Sequence, residues 1–415
     1  MSKHARDRRP YIPPVKRIEL SESNIKLRWI AIVLLLAVAV TAITVGLTSA
    51  LNTEPGWQQV QVTSSNTNCS ADFVFMYEFG TGDLDATAEY KNVVSLYTSL
   101  TERGYQLFSA QEGSLGELNS NPNSVVTVPE ELYEALSLLV RSGIRYPFLD
   151  PAVREYNGVF LADNDLDAAM FDPNRDPERM GYVQEAVAYC ADPAHISLEL
   201  LDKNQVKLVV SEEYLAYGME NEIDVYFDFG WMKNAFLADF LADALTEAGY
   251  TRGHLTSFDG FTRNLDSRGV GYSYNFFDRL DNTISIPARL NYTGPITIVT
   301  LRNYPLSDND RWNYHAYADG SITSVYLDIQ GRNISSTDNL SCYSQTDSCA
   351  EVLVQAAPVF LTEELDYVAL GAMEAAGIHS VWAEGTVLIH TTQNGADIEL
   401  LPESGGQEYM LVALK

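Results

Sequence analysis

Apolar residues alternate with polar ones over Ile223, Val225, Phe227 and Phe229, with Asp224, Tyr226 and Asp228 between them. That two-residue period predicts a half-buried strand. Directly after it, Phe236, Leu237, Phe240, Leu241, Ala244 and Leu245 recur at helical spacing, and Gly249 supplies a stop. Gly230 sits at the joint. Strand-to-helix joints bring backbone N–H groups and a carboxylate to one point, which suits a phosphate or a metal.

The same punctuation recurs elsewhere. Helical patterns run into Gly104, Gly143, Gly249 and Gly377, each followed by Tyr or Ile. Each glycine is expected to close a helix in the left-handed conformation and hand over to a strand. Further strands are expected over Pro295–Leu301, Ile322–Ile329 and Thr386–Thr391, and a helix over Pro129–Arg141. Helices mixed with short strands and hairpin-like turns predict an α+β fold rather than a regular parallel βαβ sheet.

At the N-terminus the pattern changes. Residues 1–28 hold eight Lys/Arg against three acids, a local charge of +5. Ile30 to Gly46 is an unbroken run of apolar and small residues, extendable to Trp29 and Leu51. About 20 such residues cross a bilayer, and the basic flank predicts an N-terminus inside the cell. Residues 29–51 are read as an uncleaved single-pass anchor in the cell membrane. A signal peptide cleaved near Thr48-Ser49-Ala50 is the competing reading. Residues 52–70 are polar and read as a stalk, and 71–415 as an exported domain.

With −29 on the whole chain, −34 remains on the exported part. So acidic a surface excludes nucleic acid as a partner. All four cysteines (Cys69, Cys190, Cys342, Cys349) lie beyond the anchor, where disulfides are permitted. Cys342 and Cys349 flank a short polar loop and are the expected pair; four buried free thiols are the alternative. The chain has no P-loop, no dinucleotide glycine fingerprint and no nucleophile elbow, and its histidines show no metal-ligand spacing.

Several segments, in order, resemble the FAD:protein FMN transferase family, the ApbE-like flavin transferases. Gln111-Glu112-Gly113-Ser114-Leu115-Gly116-Glu117-Leu118-Asn119 resembles S-E-[IL]-S-x-[LI]-N, keeping Leu118 and Asn119. Phe148-Leu149-Asp150-Pro151-Ala152-Val153 resembles F-D-P-T-V. The joint at Asp228 resembles D-L-G-G-I-A-K-G-Y-A-V-D, matching Asp228, Gly230 and Asp239. Gly260 matches a glycine of the family's L-G-G-N strand end, and Asp328 the aspartate of H-I-I-D-P-R-T-G. Ala350-Glu351-Val352-Leu353-Val354-Gln355-Ala356 resembles A-D-A-L-S-T-A.

The resemblance implies an ApbE-like fold, FAD as substrate, Mg²⁺ as metal, and transfer of FMN to a threonine of an acceptor protein. It implies Asn119, Asp150, Asp228, Gly230, Gly260 and Asp328 as flavin-binding positions. Glu351 and Gln355 stand at the metal-ligand positions, on one helix face by their i,i+4 spacing. The chain departs from the family where chemistry is expected. Asn234 stands at the lysine of the glycine turn, Trp231 at its second glycine, and Val325 at the histidine of H-I-I-D-P-R-T-G. Three functions are therefore set side by side: an active transferase with an altered site, a non-catalytic flavin or nucleotide binder, and an interaction module on the same fold. Local chemistry offers other roles for the same residues. Ser348-Cys349-Ala350-Glu351 reads as a helix capping box, and Asp228 as a helix cap.

Overall fold

The computed structural model describes residues 53–62, 65–280, 283–307, 310, 312–393, 397–401 and 406–414. Apart from Thr53 they fall in one compact unit, Glu54–Lys415. The expected anchor at 29–51 and the basic tail lie outside the described residues. Among those described, no helix is long and apolar enough to cross a membrane.

Nine strands form the main sheet: β1 (Gly56–Gln59), β2 (Phe73–Phe79), β3 (Gly253–Ser257), β4 (Phe261–Asn264), β5 (Ile296–Arg302), β6 (Asn339–Ser344), β7 (His379–Ala383), β8 (Leu388–Thr391) and β9 (Met410–Ala413). Their spatial order is their chain order, and every neighbouring pair is antiparallel except β8 and β9. Neighbours in the sheet are not always close in sequence, since β2 pairs with β3 in the register Phe73↔Ser257. Part of the polar stretch read as a stalk is built into this sheet, because β1 forms its edge and Val60 and Cys69 are buried.

One face of the sheet is covered by α1 (Ala86–Phe108), α5 (Lys233–Glu247) and α6 (Cys349–Phe360); α2 (Gly113–Ser120) packs on α1, α3 (Glu130–Ser142) packs on α6, and the single turn α4 (Asp150–Val153) follows α3. α1 starts where Asp85 accepts hydrogen bonds from the N–H groups of Thr87 and Ala88, both at 3.0 Å. α5 is apolar nearly all round, with Ala235, Phe236, Leu237, Ala238, Leu241, Ala242 and Leu245 buried, so it runs through the core. Each fully buried Leu or Phe contributes roughly 1.5–3 kcal/mol. The other face carries a smaller apolar cluster, built from Phe276, Ala288 and Leu290 of the 271–293 hairpin against Ile298, Tyr343, Val381 and Ile389.

The α+β fold matches the sequence reading, with local differences. The helix expected over Pro129–Arg141 runs Glu130–Ser142 and closes at Gly143 with φ 71°. Gly249 (φ 83°) and Gly377 (φ 90°) also take the left-handed form. Gly104 does not: it lies inside α1, where an added Cβ would sit 2.8 Å from Leu237 Cδ2. That glycine lets α1 approach α5 closely and stops nothing. The strand expected at Ile322–Ile329 shrinks to Ile322–Ser324; beyond it the Asn333 side-chain amide donates to the Ser324 and Tyr326 carbonyls in place of a partner strand.

Residues 223–229 form no strand either. Burial does not alternate there, since Val225, Tyr226 and Phe227 are all buried. Asn119 replaces a partner strand, accepting from the N–H groups of Tyr226 (3.1 Å) and Phe227 (3.0 Å) and donating to the Phe227 carbonyl (2.8 Å). All four cysteines are buried and free, so the expected Cys342–Cys349 bridge is replaced by its alternative. Cys342 faces Ser380, whereas Cys349 faces the Thr262 carbonyl.

Candidate functional site

The Asp228–Asn234 joint borders an open cavity of about 600 Å³, within the range of small-molecule sites. Gly230 turns the chain with φ 55° and has open space where a side chain would be. A single 3-10 turn, Gly230–Met232, then leads into α5. Asp228 Oδ1 accepts from the Gly230 N–H at 3.1 Å, so this carboxylate ties the joint together. Trp231 is half-buried against Tyr146 and Tyr326, with ring centroids at 5.9 and 5.0 Å. It lines the cavity and leaves it open.

Opposite the joint, Asp150 opens α4 on the cavity wall. From the β3–β4 turn come Phe258 and Asp259, and Asn234 donates to Asp259 Oδ2 at 2.9 Å. Gly260 makes that turn possible. Its φ is 112°, and a Cβ there would meet the Thr300 carbonyl oxygen at 2.4 Å. Asp72, from the 3-10 turn before β2, and Trp312 complete the lining. A second cavity of about 550 Å³ lies behind Asp72, Asp150, Asp228 and Lys233, which line both.

Charge is lopsided here. Asp72, Asp150, Asp228, Asp259 and Asp310 line the first cavity, and Lys233 is the cation among its lining residues. Burial, then the neighbouring Asp228 and Asp224, push the Asp150 carboxyl up to about 7 against the pull of Arg154. Burial raises Asp259 to about 6, opposed by hydrogen bonds from Ser257 and Asn234. Asp72 and Asp228 are raised by burial too, with Lys233 working against it in both.

Asp150, Asp228 and Gly230 thus meet at one cavity. Asn119 and Gly260 stand one layer back and hold its walls. Asp328 is absent from the lining: its buried carboxylate takes the N–H groups of Gln330 (2.9 Å) and Arg332 (2.8 Å) and the Arg332 guanidinium. It shapes a turn.

The metal pair is not brought to the cavity. Glu351 Oε2 accepts from the Ser348 N–H at 3.0 Å and completes a capping box at the start of α6. Gln355 donates back to the Glu351 carbonyl at 3.3 Å, and both side chains are exposed. Glu351 borders a different groove, between α3 and α5. Among the described residues, no group of three or more His, Cys, Asp or Glu is placed to hold a metal ion. Magnesium on Glu351 and Gln355 does not fit this arrangement. The two anionic phosphates of FAD do not fit a wall of carboxylates with a single lysine either.

Asp239, matched only as a framework position, does more than its sequence suggested. Buried in α5, it accepts from the N–H groups of Cys349 and Ala350, both at 2.8 Å, and pairs with Arg263. It caps α6 across the core. Asp72 and Trp312 had no local signal at all. Asp259 directly precedes Gly260, the position that carried the match.

No protein-family model and no curated protein matches the chain. Solved structures do. The flavin transferase ApbE from Vibrio cholerae superposes with a TM-score of 0.53 at 14% identity, over 84% of this chain and 97% of that one. The ApbE protein from Thermotoga maritima gives 0.55 at 12% identity, over 83% and 96%. The chain has the ApbE-like flavin-transferase fold.

Proposed function

We propose that this chain is a ligand-binding relative of the flavin transferases that has lost metal-assisted FMN transfer. One observation carries the reading. The cavity at the Asp228–Asn234 joint is open, while Glu351 and Gln355 are committed elsewhere. Asn234, at the position of the family's lysine, is tied to Asp259. A scaffold with a closed surface is disfavoured, because Trp231 leaves the cavity unfilled.

The full chain in detergent, incubated with FAD, Mg²⁺ and a threonine-bearing acceptor that an active flavin transferase modifies, should leave the acceptor free of covalent flavin. Flavin fluorescence on the acceptor after denaturing electrophoresis overturns the reading.

We also propose that residues 29–51 anchor the protein, with the N-terminus in the cytoplasm and 71–415 outside. The supporting feature is the apolar run behind a basic flank. Retention in membranes washed at high pH is expected; release into the soluble fraction sinks the anchor.

A further inference from the structure

From the lining of the cavity at the Asp228–Asn234 joint, and resting on its reading as a binding site, we infer that it takes a positively charged organic ligand with a planar group, not an anionic dinucleotide.

Charge comes first. Of the five carboxyls on the wall, Asp310 pairs with Arg302 in a buried ion pair, and Arg154 acts on Asp150. Asp72, Asp228 and Asp259 are left with Lys233 among them. A phosphate entering this space meets repulsion at short range and low dielectric, whereas a cation meets attraction.

The Asn234–Asp259 pair on the wall is satisfied internally: Asn234 donates to Asp259 Oδ2 at 2.9 Å, and the other oxygen of each residue is buried out of reach of the cavity.

Aromatic walls supply the second observation. Trp312 and Phe258 are 55% and 48% exposed and line the cavity, with Tyr146 and Trp231 behind them. Large rings held open to solvent beside carboxylates form a surface that stacks on a planar group and attracts cations through the ring faces. Burial and mutual repulsion hold the Asp150 carboxyl near neutrality. A bound cation relieves that repulsion.

Three tricyclic fluorophores of similar ring size separate the possibilities: proflavine (cationic), riboflavin (neutral), and FAD (anionic), the last with and without Mg²⁺. Each is titrated by fluorescence anisotropy into the full chain in a non-ionic detergent. Proflavine should bind at least tenfold more tightly than riboflavin or FAD. Asp228→Asn keeps the acceptor for the Gly230 N–H, and it and Asp150→Asn should each weaken proflavine at least threefold. Asp202→Asn, on the exposed 201–205 hairpin turn, should change nothing, which separates the cavity from general attraction to an acidic surface.

FAD binding as tightly as proflavine overturns the inference and leaves the cavity a binding site. Equal loss in Asp202→Asn and Asp228→Asn overturns it as well. Absence of binding by all three tricycles overturns both the inference and the reading beneath it. Should a variant fail to fold by circular dichroism, the ranking of the three ligands on the unmodified chain decides.

Discussion

Asp150 shows how one residue can serve a site at a cost to the fold. Its carboxyl is raised to about 7, mainly by burial, whereas the unfolded value is about 3.9. Between those values the folded state binds the extra proton, so stability falls as pH rises from roughly 4 to 7. Asp150→Asn removes the titrating group. Urea midpoints measured from pH 4.5 to 8 should decline for the parent chain and decline less for the variant, with a gap on the order of 1 kcal/mol at pH 8. A variant less stable than the parent at pH 8 would show that Asp150 is stabilised by partners rather than strained. At this scale the sequence was half legible. Asp228, Gly230 and Asp150 were readable because a turn residue and its carboxylate carry local signatures. Asp72 and Trp312 were not, because topology alone brings these two distant chain segments to one wall.

Among the elements, α6 separates likeness of position from likeness of geometry. Glu351 matched a metal-ligand position, but the local pattern Ser348-Cys349-Ala350-Glu351 decides its role. Glu351→Ala should lose about 1 kcal/mol or less in urea, as a broken cap does. Flavin or cation binding at the cavity should not change, with or without Mg²⁺. A Mg²⁺-dependent loss of binding in that variant would restore Glu351 as a metal ligand. Long amphipathic stretches were legible throughout, since their burial follows their period. Two short signals misled for a common reason. The alternation over 223–229 and the glycine at 104 each report a packing need, and neither reports which backbone form meets it. Asn119 supplies hydrogen bonds that a strand would have supplied, and Gly104 supplies space where a helix stop was expected.

Taken as a whole, the domain holds together without covalent cross-links among its described residues. All four thiols are buried and free, and burial lifts Cys69, Cys190 and Cys342 to about 12 and Cys349 well above its ordinary value. Thiolates are therefore scarce at neutral pH. A thiol-reactive dye should label none of the four on the minute timescale in the native chain and all four in denaturant. Reductant should leave the thermal midpoint unchanged. Rapid native labelling, or a midpoint lowered by reductant, would contradict the arrangement. The mixture of helical and strand patterns gave the α+β class of the whole, and composition its acidic charge. What it could not give was the disulfide state, because cysteine counts are blind to whether side chains face each other across a sheet.

The pairing of β2 with β3 has a kinetic consequence. Phe73 must find Ser257, and the chain between them includes the joint, α4 and most of the cavity wall. Closing so long a loop is entropically unfavourable before contacts reward it, and such non-local pairing slows folding. The excursion must be organised for the two strands to zip, and Asp72 and Asp259, just outside the zipped ends, meet the rest of the wall only afterwards. Occupancy of the cavity is thus a late event, so a ligand stabilises the finished domain by slowing its unfolding rather than by hastening its assembly.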